Sequence, residues 1–410
     1  MSEILHFAQN GCLLLFVMLM SYLEDYPYAA YCDSNEEQES LLNQQQNERS
    51  MAMRKIYING PYDVEIRDVP IPTPGPGEVL IKTQYTGISS GTEMMLYCGT
   101  FPNFKLKKWP QWTDYPVCPG YELVGTVVAV GQPAEASGDM SQLDSLQPKS
   151  AVLMNRAEDF KIGDRVICLG EHAEYACLPA EFVTKIPEHV SSEEATLTVL
   201  GNTAMQAVRR GAIEFGDTVA VIGAGILGYL VAVEAKLAGA GRIIVIDKDN
   251  SRLAVAKDSG ADLVLNPDEV DIVQAVMEYN GILADVVFEA TGARGTEQTA
   301  LDLVRDRGRV VIVGWHTDPM HFQFGDFYFK EVTLLATRAG GPEAGLPYAY
   351  VRWTSDQMRN YAMELIAQGK LSGKFFKPSL FKPEEIVQVY DMISKRDPRI
   401  GMQAMLKWDE

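Results

Sequence analysis

The 410-residue sequence has no CxxC pair, and its six cysteines, Cys12, Cys32, Cys98, Cys118, Cys168 and Cys177, never cluster at zinc-ribbon spacing. That absence excludes a zinc ribbon, a CxxC redox centre and a small disulfide-stapled fold. A chain of this size folds without disulfides, so free thiols in a reducing compartment, the cytoplasm, are expected. Basic residues are also scarce, with 36 Lys and Arg against 55 Asp and Glu, a net charge of −19. Such an excess repels phosphate backbones and anionic lipid, so neither nucleic acid nor a membrane surface is expected as a partner. A spanning segment is missing too. The apolar run CLLLFVMLM at 12–20 falls short of the roughly 20 residues a bilayer requires. No Lys or Arg precedes it, as one would in a secretory leader. The polar, Gln-rich stretch 33–49 follows, and residues 1–52 read as a disordered or dispensable extension.

What remains is ordinary globular composition, 47% hydrophobic and 22% charged, in a length that suits two domains. Residues 53–200 carry short strands punctuated by Pro and Gly, interrupted at 132–158 by a small-residue, polar insert that reads as a surface loop. From Thr218 the grammar changes. DTVAVIGAG is a continuous apolar strand of the kind buried on both faces, and ILGYLVAVEAKLAGA after it has helical spacing. RIIVIDKD, DLVLNP, ADVVFEATG, GRVVIVG and KEVTLLAT supply five more strands separated by helix-length segments. NSRLAVAKDSGA reads as a helix capped by Asn250 or Ser251. This α/β alternation predicts a doubly wound Rossmann sheet over 201–340, with 341–410 returning to the first unit.

Gly223-Ala-Gly225-Ile-Leu-Gly228 is a GxGxxG fingerprint set between a buried strand and a helix. The glycines serve, in order, a tight turn, close approach of backbone to pyrophosphate, and helix–strand packing. Asp247 ends the next strand, where a carboxylate accepts both ribose hydroxyls of NAD and repels the 2′-phosphate of NADP. NAD is therefore expected, with Lys248 and Arg252 nearby leaving NADP open. Ile226, Leu227, Thr291 and Gly314 complete the residues expected to line the dinucleotide.

With EVLIKTQYTGIS, PGYELVGTVVAVG, GDRV, HAEY, GNTAMQAVRR and VIGAGILG in view, the chain from Met53 to Trp408 resembles the medium-chain dehydrogenase/reductase superfamily, alcohol and threonine dehydrogenases included. The resemblance implies a GroES-like β-rich catalytic domain, split in sequence by the Rossmann domain. It further implies a small-molecule substrate in the cleft between them and a homodimer or homotetramer. Zinc-dependent members carry a Cys, a His and a third ligand. Here Ser89 or Ser90, Tyr121, and Thr198 or Val199 stand at those positions, and the four-cysteine structural lobe is missing. Neutral hydroxyls are poor zinc donors, so no zinc is expected. GISSGTE, WHTD and FKEVTLLATR are similar to a zinc-less bacterial branch that includes bacteriochlorophyllide dehydrogenase-like proteins.

The reaction implied is interconversion of a secondary alcohol and a ketone by hydride transfer. Without a metal, a positioned base or hydrogen-bond relay must stabilise the developing alkoxide. Tyr121 is the expected proton donor and acceptor, with Ser89, Ser90 or Thr92 polarising the substrate oxygen and Glu93 or Glu122 tuning it. His172 reads as structural and His316 as a surface-loop histidine. Arg338 and Arg352 could hold an acidic substrate group, though ordinary ion pairing accounts for them equally well. Two competing readings keep the fold: an NADPH-dependent enone or quinone reductase, and a nucleotide-binding scaffold without catalysis.

Overall fold

A strand with no polar face needs cover on both sides, and the cofactor half of the chain provides it. The computed structural model describes residues 52–108, 111–132, 156–338 and 353–408. The extension through Met51, most of the 132–158 insert and Arg352 lie outside the described residues. Six parallel strands run in the spatial order Leu263–Leu265, Arg242–Ile246, Thr218–Ile222, Ala284–Glu289, Val304–Ile312 and Thr333–Ala336. The first strand in sequence thus sits inside the sheet and the order reverses beside it, which creates the crevice that dinucleotides occupy in such sheets. Alternate residues feed opposite cores. Val219, Val221, Val245 and Phe288 pack with helices Leu197–Gly211 and Ile226–Leu237. Ala220, Ile222, Ile244 and Val287 pack against Val276, Ala300 and Leu301 on the other face. All six apolar segments named from sequence form these strands.

One cap differs from expectation. The helix Asn250–Asp258 begins one residue after Asp249, whose carboxylate accepts the Ser251 N–H, so Asp249 rather than Asn250 or Ser251 is the cap. Its oxygen reaches the second helical N–H, the geometry an N-cap needs.

The second sheet has seven strands. Ser379–Phe381, Ala404–Lys407, Glu78–Ile88, Leu123–Val130, Arg165–Cys168 and Val183–Lys185 follow one another, and Tyr175–Pro179 also pairs with Glu78–Ile88. Ala404–Lys407 runs antiparallel beside Tyr85–Ile88, so the chain's last strand completes the sheet that its early strands began. Ala52–Gly60 and Asp63–Pro70 form a separate hairpin. A short helix, Thr92–Cys98, follows the turn at Ser89–Gly91 and ends at Gly99 in the left-handed region. No described helix is long and apolar enough to cross a membrane.

Candidate active site

At the end of the first parallel strand Gly223 turns at φ 98°, and Gly225 caps the helix Ile226–Leu237 without a side-chain bond, so among the described residues no side chain caps its first N–H groups, which suits an anion. A Cβ on Gly228 would lie 1.8 Å from the Gly223 carbonyl oxygen, whereas one on Gly225 would meet only Arg252 Nη1 at 3.9 Å. The third glycine is thus demanded by packing, and the second leaves open backbone where pyrophosphate would approach. Asp247 Oδ2 accepts the Ala224 N–H at 2.6 Å, and Oδ1 accepts the Asp249 N–H at 2.8 Å. The acid is therefore aimed at the glycine turn, with lone pairs left for ribose hydroxyls. Lys248 pairs with Asp268 at 2.9 Å, while Arg252 lies 3.6 Å from Asp249 beside the turn.

Thr291 and Gly314 meet in a loop that the sequence reading left without an organiser. Glu289, fully buried at the end of its strand, accepts the N–H of Thr291 at 2.8 Å and of Gly292 at 3.1 Å. It also accepts the Thr296 hydroxyl at 2.9 Å and the Thr291 hydroxyl. His316 Nε2 bonds the same carboxylate at 2.9 Å, with its side chain only 8% exposed. His316 is therefore a buried partner of Glu289, not a surface-loop histidine. The sequence signal was the acid closing an otherwise apolar strand, because a buried carboxylate needs such partners.

In the other sheet, the GISSGTE and PGYE motifs bring hydroxyls near one another. Ser89 donates its N–H to Glu93 Oε1 at 2.8 Å, and its Oγ accepts the Thr92 N–H at 3.2 Å. The Ser89 and Thr92 hydroxyls lie near enough to the Tyr121 phenol to favour its ionised form slightly, against the larger opposing effect of burial. Ser90 is exposed at the turn itself. Glu93 differs from expectation, because the helix Thr92–Cys98 turns it into the core. There it is fully buried, bonding His172 Nε2 at 2.8 Å and accepting the Tyr390 hydroxyl at 2.6 Å. Glu93 positions Ser89 from behind and does not face the open side. His172 is its buried partner, a structural residue.

Glu122 is buried, and its Oε1 has no hydrogen-bond partner among the described residues. Burial first, and then the nearby Glu93 carboxylate, push its carboxyl up to about 8. Burial and Glu122 likewise hold the Tyr121 phenol well above its ordinary range. Space for the Glu122 head exists because position 87 is glycine, where a Cβ would fall 2.3 Å from Glu122 Oε2. Replacing Gly87 with Ala is expected to cost about 1–3 kcal/mol of stability through that clash. Chemical denaturation of the two proteins checks it, and an unchanged midpoint would show that Glu122 can move aside freely.

Thr198 donates its hydroxyl to the Ala195 carbonyl at 2.6 Å, and Val199 is apolar. Cys118 stands among Tyr57, Lys55 and Glu171, away from Glu93 and Glu122. Among the described residues no three His, Cys, Asp or Glu side chains gather to hold a metal.

Comparison with known proteins agrees with this architecture. Residues 75–188 match the alcohol dehydrogenase GroES-like domain, and residues 227–355 match the zinc-binding dehydrogenase family. L-threonine 3-dehydrogenase of Pyrococcus abyssi is 33% identical over 291 residues, covering 67% of this chain and 79% of that enzyme. Rat (Rattus norvegicus) sorbitol dehydrogenase is 26% identical over 366 residues, 86% of this chain and 95% of that one. The crystal structure of an alcohol dehydrogenase from E. coli CFT073, complexed with NADH, superposes with a TM-score of 0.68 at 21% identity, covering 87% of this chain and 100% of that one. The chain belongs to the medium-chain dehydrogenase/reductase superfamily and is an NAD(P)-dependent alcohol dehydrogenase/reductase of that family.

Proposed function

We propose that the protein is an NAD-dependent, zinc-independent oxidoreductase that interconverts a secondary alcohol and a ketone. The observation that carries this reading is that Ser89 and Tyr121, with Thr92 beside them, stand where zinc-dependent relatives hold their ligands, next to a buried Glu122 whose Oε1 has no partner among the described residues. Those donors do not fit a tetrahedral zinc. Three are neutral hydroxyls, the third-ligand position offers Thr198 or Val199, and Glu122 is held toward its protonated form. The preference for NAD is supported by Asp247, fixed against the glycine turn by the Ala224 N–H. In this reading residues 201–340 carry the cofactor, 53–200 and 341–410 carry the substrate, and the enzyme works as a homodimer or homotetramer.

NAD⁺, when bound, supplies the hydride acceptor. Tyr121, kept protonated by its burial and by Glu122, donates a hydrogen bond to the substrate oxygen and hands protons on. Ser89 and Thr92 orient that phenol. Glu122, its carboxyl pushed up to about 8, takes up the hydroxyl proton in oxidation or returns it in reduction. Glu93, His172 and Tyr390 fix the turn that carries Ser89.

A second reading, an NADPH-dependent enone or quinone reductase, draws on Arg252, whose guanidinium lies beside Gly225 where a 2′-phosphate could reach it. Fluorescence titration of the purified protein with NADH and NADPH, with elemental zinc measured on the same sample, separates the two. Tighter NADH binding without stoichiometric zinc is the expected result. Bound zinc would overturn the donor argument. A preference for NADPH, with its consumption driven by an enone and by no alcohol, would establish the reductase.

A further inference from the structure

The hydroxyl cluster does not stand alone on its wall. The Tyr121 ring lies 6.4 Å from that of Trp112, and Trp112 lies 5.8 Å from Phe101. Phe101 in turn lies 6.0 Å from Trp315. Tyr121, Trp112 and Phe101 belong to the catalytic half, while Trp315 directly follows Gly314 in the cofactor half. Four rings thus run without a break from the reacting hydroxyls to the loop expected to line the dinucleotide. Trp112 is pinned in place, its indole N–H donating to the Cys118 carbonyl at 2.8 Å. Phe101 is buried and serves as backing. Trp315 keeps 41% of its surface exposed at the end of the run, and Tyr121 and Trp112 are half-buried.

We infer that this aromatic wall selects secondary alcohols whose carbinol carbon bears a flat, apolar body, an aryl or fused-ring group, over polyols and amino alcohols. The inference rests on the alcohol-oxidoreductase reading of the same site and names its substrate class. A polyol needs a hydrogen-bond partner for each hydroxyl, and a site that binds one must present polar groups along its length. Ring faces provide none. They reward instead a flat hydrophobe that stacks or meets them edge to face, with large apolar area buried per ring. Hydroxyls stand at the Tyr121 end of the run, which suits one reacting oxygen on an otherwise apolar molecule. Trp315 adds the specificity, because it is the exposed ring that a substrate body entering from the cofactor side would meet.

The test uses the full-length chain with NAD⁺ and three alcohols, 1-(2-naphthyl)ethanol, 2-butanol and sorbitol. The naphthyl alcohol is expected to exceed both others in kcat/KM by about tenfold to a hundredfold, the reward for burying a fused ring against aromatic side chains. Trp315→Ala should raise KM for the naphthyl alcohol at least about tenfold more than for 2-butanol, and Trp315→Phe should restore most of the loss. A better kcat/KM for sorbitol, or equal losses on both alcohols in Trp315→Ala, overturns the inference while leaving the alcohol oxidoreductase intact. If no alcohol yields NADH, that function fails, and the wall is judged by binding. Quenching of tryptophan fluorescence by 2-acetonaphthone in the NADH-loaded protein, lost in Trp315→Ala, sustains it, and no quenching refutes it.

Discussion

Replacing Tyr121 with Phe lowers kcat for alcohol oxidation about a hundredfold to a thousandfold, with NADH affinity held within about twofold. The variant keeps the ring that packs 6.4 Å from Trp112 and removes only the hydroxyl that Ser89 and Thr92 act on. Loss of fold is therefore not the expected route, and NADH titration of the same sample verifies that. The companion variant reads the proton's destination. Because the Glu122 carboxyl is pushed up to about 8, its carboxylate appears over the range where oxidation is assayed. Wild-type oxidation should rise with pH through that value, and Glu122→Gln should be slow and flat across it. A profile in Glu122→Gln that still rises near pH 8 would assign the proton to another group. Stability moves the other way. A carboxyl whose folded value lies above its ordinary 4.5 contributes fully below that pH and loses its contribution as pH rises through about 8. The form of Glu122 that accepts the proton is thus the form the fold resists, a conflict found at many catalytic groups.

How far the sequence showed this site depends on which physical constraint each residue answers. The six parallel strands were legible because strands buried on both faces cannot alternate, and the turn was legible because Gly228 has no room for a Cβ. Glu93 was misplaced for a local reason. Four residues after Ser89 it looks like a neighbour in a loop, but TEMMLYC coils into a helix too short to announce itself and rotates the acid into the core. Once there, it needs His172 and Tyr390, which lie 79 and 297 residues away in sequence. No local pattern contains a contact of that separation. The same holds for Glu289 and His316. The role of Glu122 was hidden differently, because its titration depends on burial and on the distance to Glu93, quantities that exist only after folding. The aromatic wall was hidden for both reasons, since its rings come from three loops and two sheets' worth of chain.

Glu234→Leu should stabilise the protein, by about 2–4 kcal/mol at neutral pH, without touching either site. Glu234 lies in the helix Ile226–Leu237 and is buried, yet neither carboxyl oxygen has a hydrogen-bond partner among the described residues. Its surroundings are those of a helix packing surface. A Cβ added to Gly201 on the facing helix would meet Glu234 Oε1 at 3.6 Å, and would lie similarly close to Leu371 and Ala362. Each unsatisfied polar group buried in this way costs about 1–3 kcal/mol, and leucine of similar volume removes both while adding apolar contact. Burial alone raises the carboxyl well above 4.5, which fixes the pH dependence. Below about pH 4.5 the acid is protonated in both folded and unfolded chains, and the variant gains only by removing the unsatisfied groups. As pH rises toward the raised folded value, the unfolded chain ionises Glu234 freely while the folded one resists. Wild-type stability falls over that window and that of the variant does not, so the gap between them widens. Denaturant unfolding of the two proteins at roughly pH 4.5 and pH 8 measures the gap at both ends. A gap that stays constant would mean that Glu234 ionises in the folded protein as it does in water. A destabilised variant would mean that the carboxyl has a partner, and the helix pair would then be held by a polar contact where the described residues offer only an apolar one.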